Sequence, residues 1–287
     1  MTAVRRSALL LVLAAASGAA PAFAEDIAFV EPSSELDDGK PASNAWNAVD
    51  GKDSTQWCAK ADQGGSAILS FGFDQTVTVS HVGLVLAAPK GESLDKQHKR
   101  ARVVTVGDIE HRVEARFKDA PGMQVLELSP PVKGRRIVLE VLETWDGASP
   151  TAPLCVTEVL LKKGGTEMTG GHLATKLRAL NTPAKRLLHE WLDDPSAPTR
   201  TLLFNVDGTF TYKFEPLLEG KPAKLRGKWT AWDRGIKLET LGKTFTVASR
   251  VTKIDEGGEP TVELVISGDA PHASMVATFR PAPKRLP

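Results

Sequence analysis

Apolar residues in this chain recur mostly at alternate positions or in short unbroken runs, the two patterns that half-buried and fully buried strands produce. Residues 67–71, 77–86, 103–106, 111–117, 123–128 and 136–142 all read this way. Turn residues separate them at regular spacing, which predicts an antiparallel sandwich. The pattern resumes beyond residue 200, where 202–206 and 209–214 flank Asp207-Gly208, a strong hairpin signal. Phe210, Tyr212 and Phe214 take one face there, and Thr209, Thr211 and Lys213 the other. Runs at 225–232, 236–239, 244–251, 262–266 and 275–279, with a turn at Asp233-Arg234-Gly235, continue the meander. Helical spacing is persuasive at one place. Thr182 offers an N-cap, Pro183 suits the first helical position, and Leu187, Leu188, Trp191 and Leu192 make an apolar stripe before Asp193-Asp194-Pro195. The expectation is a helix over 182–192 whose stripe packs into the core, with no catalytic role for His189 on its flank.

Punctuation divides the chain. Residues 162–172 are polar and contain four glycines, the composition of a flexible linker. At the start, Arg5 and Arg6 precede an apolar stretch over 8–16 that is too short to span a bilayer, and Ala22-Phe23-Ala24 offers a small-x-small cleavage site. The expected organisation is a signal peptide at 1–24, a β-sandwich at 25–162, a linker at 163–175 and a second β-domain with a leading helix at 176–287. Removing residues 1–24 leaves 287 − 24 = 263 residues, which favours two modest domains over one large core. The product is expected to be secreted or periplasmic and not membrane-spanning, because no later apolar run approaches the length of a membrane helix.

Charge excludes one class of partner. Lys plus Arg number 36 against 35 Asp plus Glu, and removing residues 1–24 takes away two arginines and no acid, so nothing recruits nucleic acid electrostatically. The two cysteines, Cys58 and Cys155, lie inside the first expected domain. In an oxidising compartment such a pair is more often bridged than free, with two buried thiols as the alternative. Two cysteines without nearby paired histidines do not make a tetrahedral zinc set. The six histidines, His81, His98, His111, His172, His189 and His272, show no metal-ligand spacing, and no nucleophile elbow, phosphate loop or zinc-protease helix occurs. A non-catalytic protein is expected.

The segment Asn44-Ala45-Trp46-Asn47-Ala48-Val49-Asp50-Gly51-Lys52-Asp53-Ser54-Thr55-Gln56-Trp57, with Cys155-Val156-Thr157-Glu158-Val159-Leu160-Leu161 a hundred residues later, resembles the two ends of a discoidin-type, galactose-binding-like jelly-roll sandwich. The resemblance covers residues 31–161. Arg100-Ala101-Arg102-Val103-Val104-Thr105-Val106 is similar, more narrowly, to the variant found beside bacterial NAD-glycohydrolase modules, where an Asn usually precedes the first Arg and Lys99 stands here. Over about 80 residues, Phe204 to Phe210, Gly227-Lys228-Trp229 and Ile236-Lys237-Leu238 resemble exported bacterial lipocalin-like barrels, which hold a small apolar ligand or pack shut. The implied fold is all-β: a jelly-roll sandwich followed by an antiparallel lipocalin-like barrel.

The first resemblance implies recognition of glycan or a cell-surface component, and in many members a structural calcium beside the Asp-Gly turn. Asp50, Thr55 and Glu158 match the calcium positions. Lys52 stands where an acid is frequent, with Asp53 next to it to compensate. A plain turn capped by Asp50 is the alternative. Sugar recognition would use exposed aromatics and polar groups on loops at one end of the sandwich, for which Trp46, His98, Lys99, Arg100, Trp145 and Asp146 are the candidates. Trp57, beside Cys58, reads as core. The competing function is an envelope protein-interaction scaffold with a lipid- or small-ligand-binding barrel.

Overall fold

The computed structural model describes residues 27–33, 45–59, 67–87, 96–108, 110–169, 171–180, 182–185, 187–217, 221–232, 234–256 and 259–281. The expected signal peptide, the residues just before Ala45 and most of the charged loop before residue 96 lie outside them. Strands β1 (Ile27–Pro32), β2 (Trp57–Ala59), β3 (Ala67–Leu86), β4 (Arg100–Gly107), β5 (Arg112–Arg116), β6 (Met123–Trp145), β7 (Leu154–Lys163) and β8 (Thr166–Glu167) form one eight-stranded sheet. Its order is β2-β7-β3-β6-β4-β5, with β1 added on β3 and β8 on β7.

The apolar runs 67–71 and 77–86 are a single strand, as are 123–128 and 136–142. Register shifts between Gly72 and Val77 and between Val79 and His81 interrupt the β3–β6 ladder. Such bulges bend a strand and add twist, so the long pair curls instead of lying flat. The curled sheet is consistent with a galactose-binding-like jelly roll and buries Trp57, Leu69, Phe71, Leu84, Leu139 and Val156 completely. Trp57 is core, as expected.

The second unit is a closed antiparallel barrel. Strands β9 (Glu190–Leu192), β10 (Arg200–Phe204), β11 (Thr209–Phe214), β12 (Ala223–Trp232), β13 (Gly235–Thr240), β14 (Lys243–Glu256), β15 (Glu259–Gly268) and β16 (Thr278–Pro281) close in the order β10-β11-β12-β13-β14-β15-β16-β9. The Asp207-Gly208 hairpin forms as read: Gly208 adopts φ +79°, and the Asp207 carboxylate accepts from the Thr209 amide and hydroxyl. Eight strands leave an interior just wide enough for side chains. Phe204, Phe210, Tyr212, Trp229, Leu238, Val247, Leu264 and Phe279, all buried, supply its packing.

Between the sheets the chain departs from expectation. The helix predicted over 182–192 does not form: α2 (Thr182–Lys185), one turn long, is the only helix among the described residues of that span, Glu190–Leu192 is strand β9, and a separate helix, α1 (Gly171–Ala179), precedes both. β9 pairs with β10 on one side and β16 on the other, so without it the barrel would have two open edges. That demand outweighs helical periodicity. Trp191, buried, donates its indole N–H to the Leu187 carbonyl at 2.9 Å. The linker expected at 163–175 also corrects: it holds the β7–β8 hairpin and the first residues of α1. Thr169 explains part of this, because its buried hydroxyl donates to the Val159 carbonyl and accepts from the Leu161 amide. Met275, expected in the last strand, lies in a 3-10 turn.

Buried side chains run continuously from the sheet through Met168, Leu173, Leu177, Ala184 and Leu187 into the barrel. A smaller cluster joins Ala28 and Phe29 to Leu203. Gly72 makes that junction possible, since a Cβ there would fall 2.0 Å from the Phe29 ring. Arg136 lies 4.9 Å over the same ring, bonds Glu31 at 2.8 Å and reaches Glu190 of β9 at 3.9 Å.

Candidate functional site

Two polar sites flank β7. At the first, a 3-10 turn (Ala45–Val49) buries Ala45, Ala48 and Val49, and the chain reverses at Gly51 with φ +65°. Asp50 organises the reversal: its Oδ1 accepts from the Lys52 amide and the Thr55 hydroxyl, both at 2.9 Å. Glu158 enters from β7, where its Oε2 accepts from the Gly51 amide at 3.2 Å. Its other oxygen, Oε1, is buried and has no hydrogen-bond partner among the described residues. Burial, then the neighbouring Asp50 carboxylate, push the Glu158 carboxyl up to about 8 against the Gly51 N–H, and Asp53 adds to the rise.

The fold therefore brings Asp50, Thr55 and Glu158 together. Asp53 stands exposed on the turn, and Lys52 reaches Asp50 only at 3.9 Å. A buried carboxylate oxygen without a partner, beside a second carboxylate, is a hard-oxygen donor set short of positive charge. Calcium fits that set.

The second site lies where the segment entering β4 docks on β7. The Lys99 amide donates to the Pro153 carbonyl at 2.9 Å, the Cys155 amide donates to the Lys99 carbonyl at 3.1 Å, and Ala148 bonds Gln97 at 3.3 Å. Arg100 pairs with Trp145 across β4 and β6. Gly147 lies so close that a Cβ on it would fall 2.9 Å from the His98 carbonyl carbon and the Lys99 nitrogen. These contacts gather His98, Lys99, Arg100, Trp145 and Asp146 at one end of the sheet.

Arg100 does not serve as an exposed ligand group there. Its side chain is 4% exposed and grips Asp119 through Nε at 2.8 Å and Nη2 at 3.2 Å, while Nη1 bonds the His98 carbonyl. A guanidinium buried at this depth needs such a bidentate partner, and the partner fills its donors. Arg102 was not among the sequence candidates, yet its guanidinium lies 4.7 Å from the Trp145 ring centroid. Strand alternation was the available signal, since Arg102 occupies the exposed position between buried Ala101 and Val103. Trp46 sits apart from this group on the 3-10 turn, half-buried against the core. Cys58 and Cys155 face one another across β2 and β7 and are bridged.

No protein-family model matches the sequence, and no curated protein matches it. Among solved structures the chain is similar to the family 32 CBM from C. perfringens NanJ in complex with galactose, at 14% identity and TM-score 0.35, over 46% of this chain and 90% of that one. It is similar as well to the family 32 carbohydrate-binding module from Streptococcus pneumoniae EndoD, at 14% identity and TM-score 0.35, over 48% and 99%. The CBM32 of AlyQ in complex with 4,5-unsaturated mannuronic acid shows 19% identity and TM-score 0.33, over 48% and 95%.

Proposed function

We propose that this chain is an exported, non-catalytic binding protein that recognises glycan or a cell-surface polymer at the Lys99 and Trp145 end of the curled sheet. One observation supports the reading: inter-segment backbone hydrogen bonds bring the positions of His98, Lys99, Trp145 and Asp146 to one end of the sheet. A ring face offers stacking area to the apolar side of a sugar, and the few polar groups around it fix orientation through hydroxyls. Calcium at Asp50, Thr55 and Glu158, with Asp53 on the rim, is the proposed structural cofactor that ties the first turn to β7. The lipocalin-like barrel, packed with its own aromatics, serves as support in this reading.

Binding to immobilised polysaccharides, competed by free sugar, tests it. Wild type should bind, and Trp145→Ala should abolish binding while far-UV circular dichroism is unchanged. Binding that no sugar displaces, or that survives Trp145→Ala, would instead favour a protein partner.

A further inference from the structure

Beside the disulfide stands a third ligand-type side chain. The Sγ atoms of Cys58 and Cys155 and one imidazole nitrogen of His98 all lie within 4.8 Å of one another. The sequence alone offers no zinc set, because residue 98 is far from both cysteines along the chain; the fold supplies what spacing could not. Cys58 and Cys155 are direct cross-strand partners with Cα atoms 4.2 Å apart. His98 is held beside them by backbone, since the next residue, Lys99, pairs with Leu154 and takes the Cys155 N–H. The cysteines are 3% and 0% exposed, and half-buried His98 forms the side nearer to solvent.

We propose that Cys58, Cys155 and His98 form a binding site for Zn2+ or a similar thiolate-seeking divalent cation when the disulfide is reduced. Tetrahedral zinc with bonds of about 2.3 Å to sulfur and about 2.0 Å to nitrogen sets ligand atoms roughly 3.5 to 3.8 Å apart. The three ligand atoms already lie within 4.8 Å of one another, so after reduction shifts of about 1 to 2 Å at the side-chain tips give that spacing. The redox step balances with a dithiol reductant: its two thiols become a disulfide, and the Cys58–Cys155 bond accepts two electrons and two protons. Zn2+ then displaces both thiol protons, and neutral His98 donates a nitrogen lone pair. The fourth position falls to water, so the ion is exchangeable. Bridge and ion exclude each other, which makes metal occupancy at β2–β7 a readout of redox state.

Co2+ titration of the full chain, reduced with a phosphine, tests this. Reduced wild type should bind one equivalent and show thiolate-to-cobalt charge-transfer absorption, and oxidised protein should show none. His98→Ala should weaken binding about tenfold or more, at least the loss seen for outer-shell changes. His98→Cys should restore it, because a thiolate replaces the imidazole. No charge-transfer band in reduced wild type would overturn the proposal. Equal affinity of His98→Ala and wild type would overturn it too, since a reduced chain that had merely unfolded would bind through its two thiolates without regard to residue 98.

Discussion

The curled sheet and the closed barrel are built from the same kind of strand, and they treat polar groups differently. In the barrel Asp207 serves Thr209 and Asp193 serves Thr199 and Arg200, and among the described residues the side-chain bonds span up to the 62 residues from Tyr212 to Ser274. The sheet has local bonds as well, as from Thr55 to Asp50, but others join parts of the chain a hundred or more residues apart, as between Arg136 and Glu31 and between Glu158 and Gly51. Closure explains the contrast. A barrel satisfies its backbone all round and can fill with aromatics. An open sheet leaves ends for loops to cover, and covering them buries charge. Glu158 keeps a buried oxygen without a partner among the described residues where the Asp50 turn covers the sheet, and half-buried Lys99 and Trp145 lie with exposed Asp146 where the segment before β4 docks.

The largest expected effect tests the barrel. Trp229 is buried, packs its ring tilted against Phe204 with centroids 4.8 Å apart and donates to the Asn205 carbonyl at 3.1 Å. Trp229→Ala should cost about 3 to 5 kcal/mol in urea unfolding. Because buried side chains run continuously between the two units, the loss should lower a single cooperative transition. Two separate transitions, one of them unshifted, would show that the units are energetically independent.

Next in size is the pH response of Glu158. Its folded pKa, about 8, lies above the ordinary carboxylate value of 4.5. Its contribution is therefore fully present below about pH 4.5 and is lost as pH rises through about 8, a span worth on the order of a few kcal/mol. Melting temperature across that window should fall in metal-free protein. Glu158→Gln should flatten the fall, and millimolar Ca2+ should reverse it by binding the ionised native state. A profile that neither the substitution nor Ca2+ alters would leave the Asp50 turn as a plain turn.

Arg100→Ala should come third, at about 2 kcal/mol, because it removes charge-assisted bonds from a buried position and strands Asp119. Thermal unfolding measures it. A cost near zero would restore Arg100 to the exposed groups.

The residues legible in sequence were those whose partners are near in sequence or whose pattern has one reading. Strand alternation placed the Phe210, Tyr212 and Phe214 face, and the Asp207-Gly208 pair marked its hairpin. The Asp50 turn and Glu158 were legible through resemblance, and the fold brings them together. What failed depended on tertiary demand. Nothing local says that Trp191 belongs to a closing strand, or that glycines at 164 and 165 turn a hairpin instead of loosening a linker. Arg100 and Lys99 look alike in sequence, and only the presence of Asp119 separates a buried anchor from a surface group. His98 joined the cysteines only when β7 and the segment before β4 paired.

The smallest stability effect carries the sharpest test of where recognition lives. Lys99 is half-buried, and the bonds that hold it are made by its backbone amide and carbonyl. Lys99→Ala keeps both, so its stability should stay within about 0.5 kcal/mol of wild type. Residue 99 nonetheless lies at the proposed recognition end, where Arg100 pairs with Trp145, so loss of its side chain should lower polysaccharide affinity several-fold. Isothermal titration alongside thermal unfolding separates the two quantities. If Lys99→Ala binds as well as wild type while Trp145→Ala does not, recognition rests on the ring alone. If neither substitution weakens binding, the open sheet has lost its claim to be the recognising half.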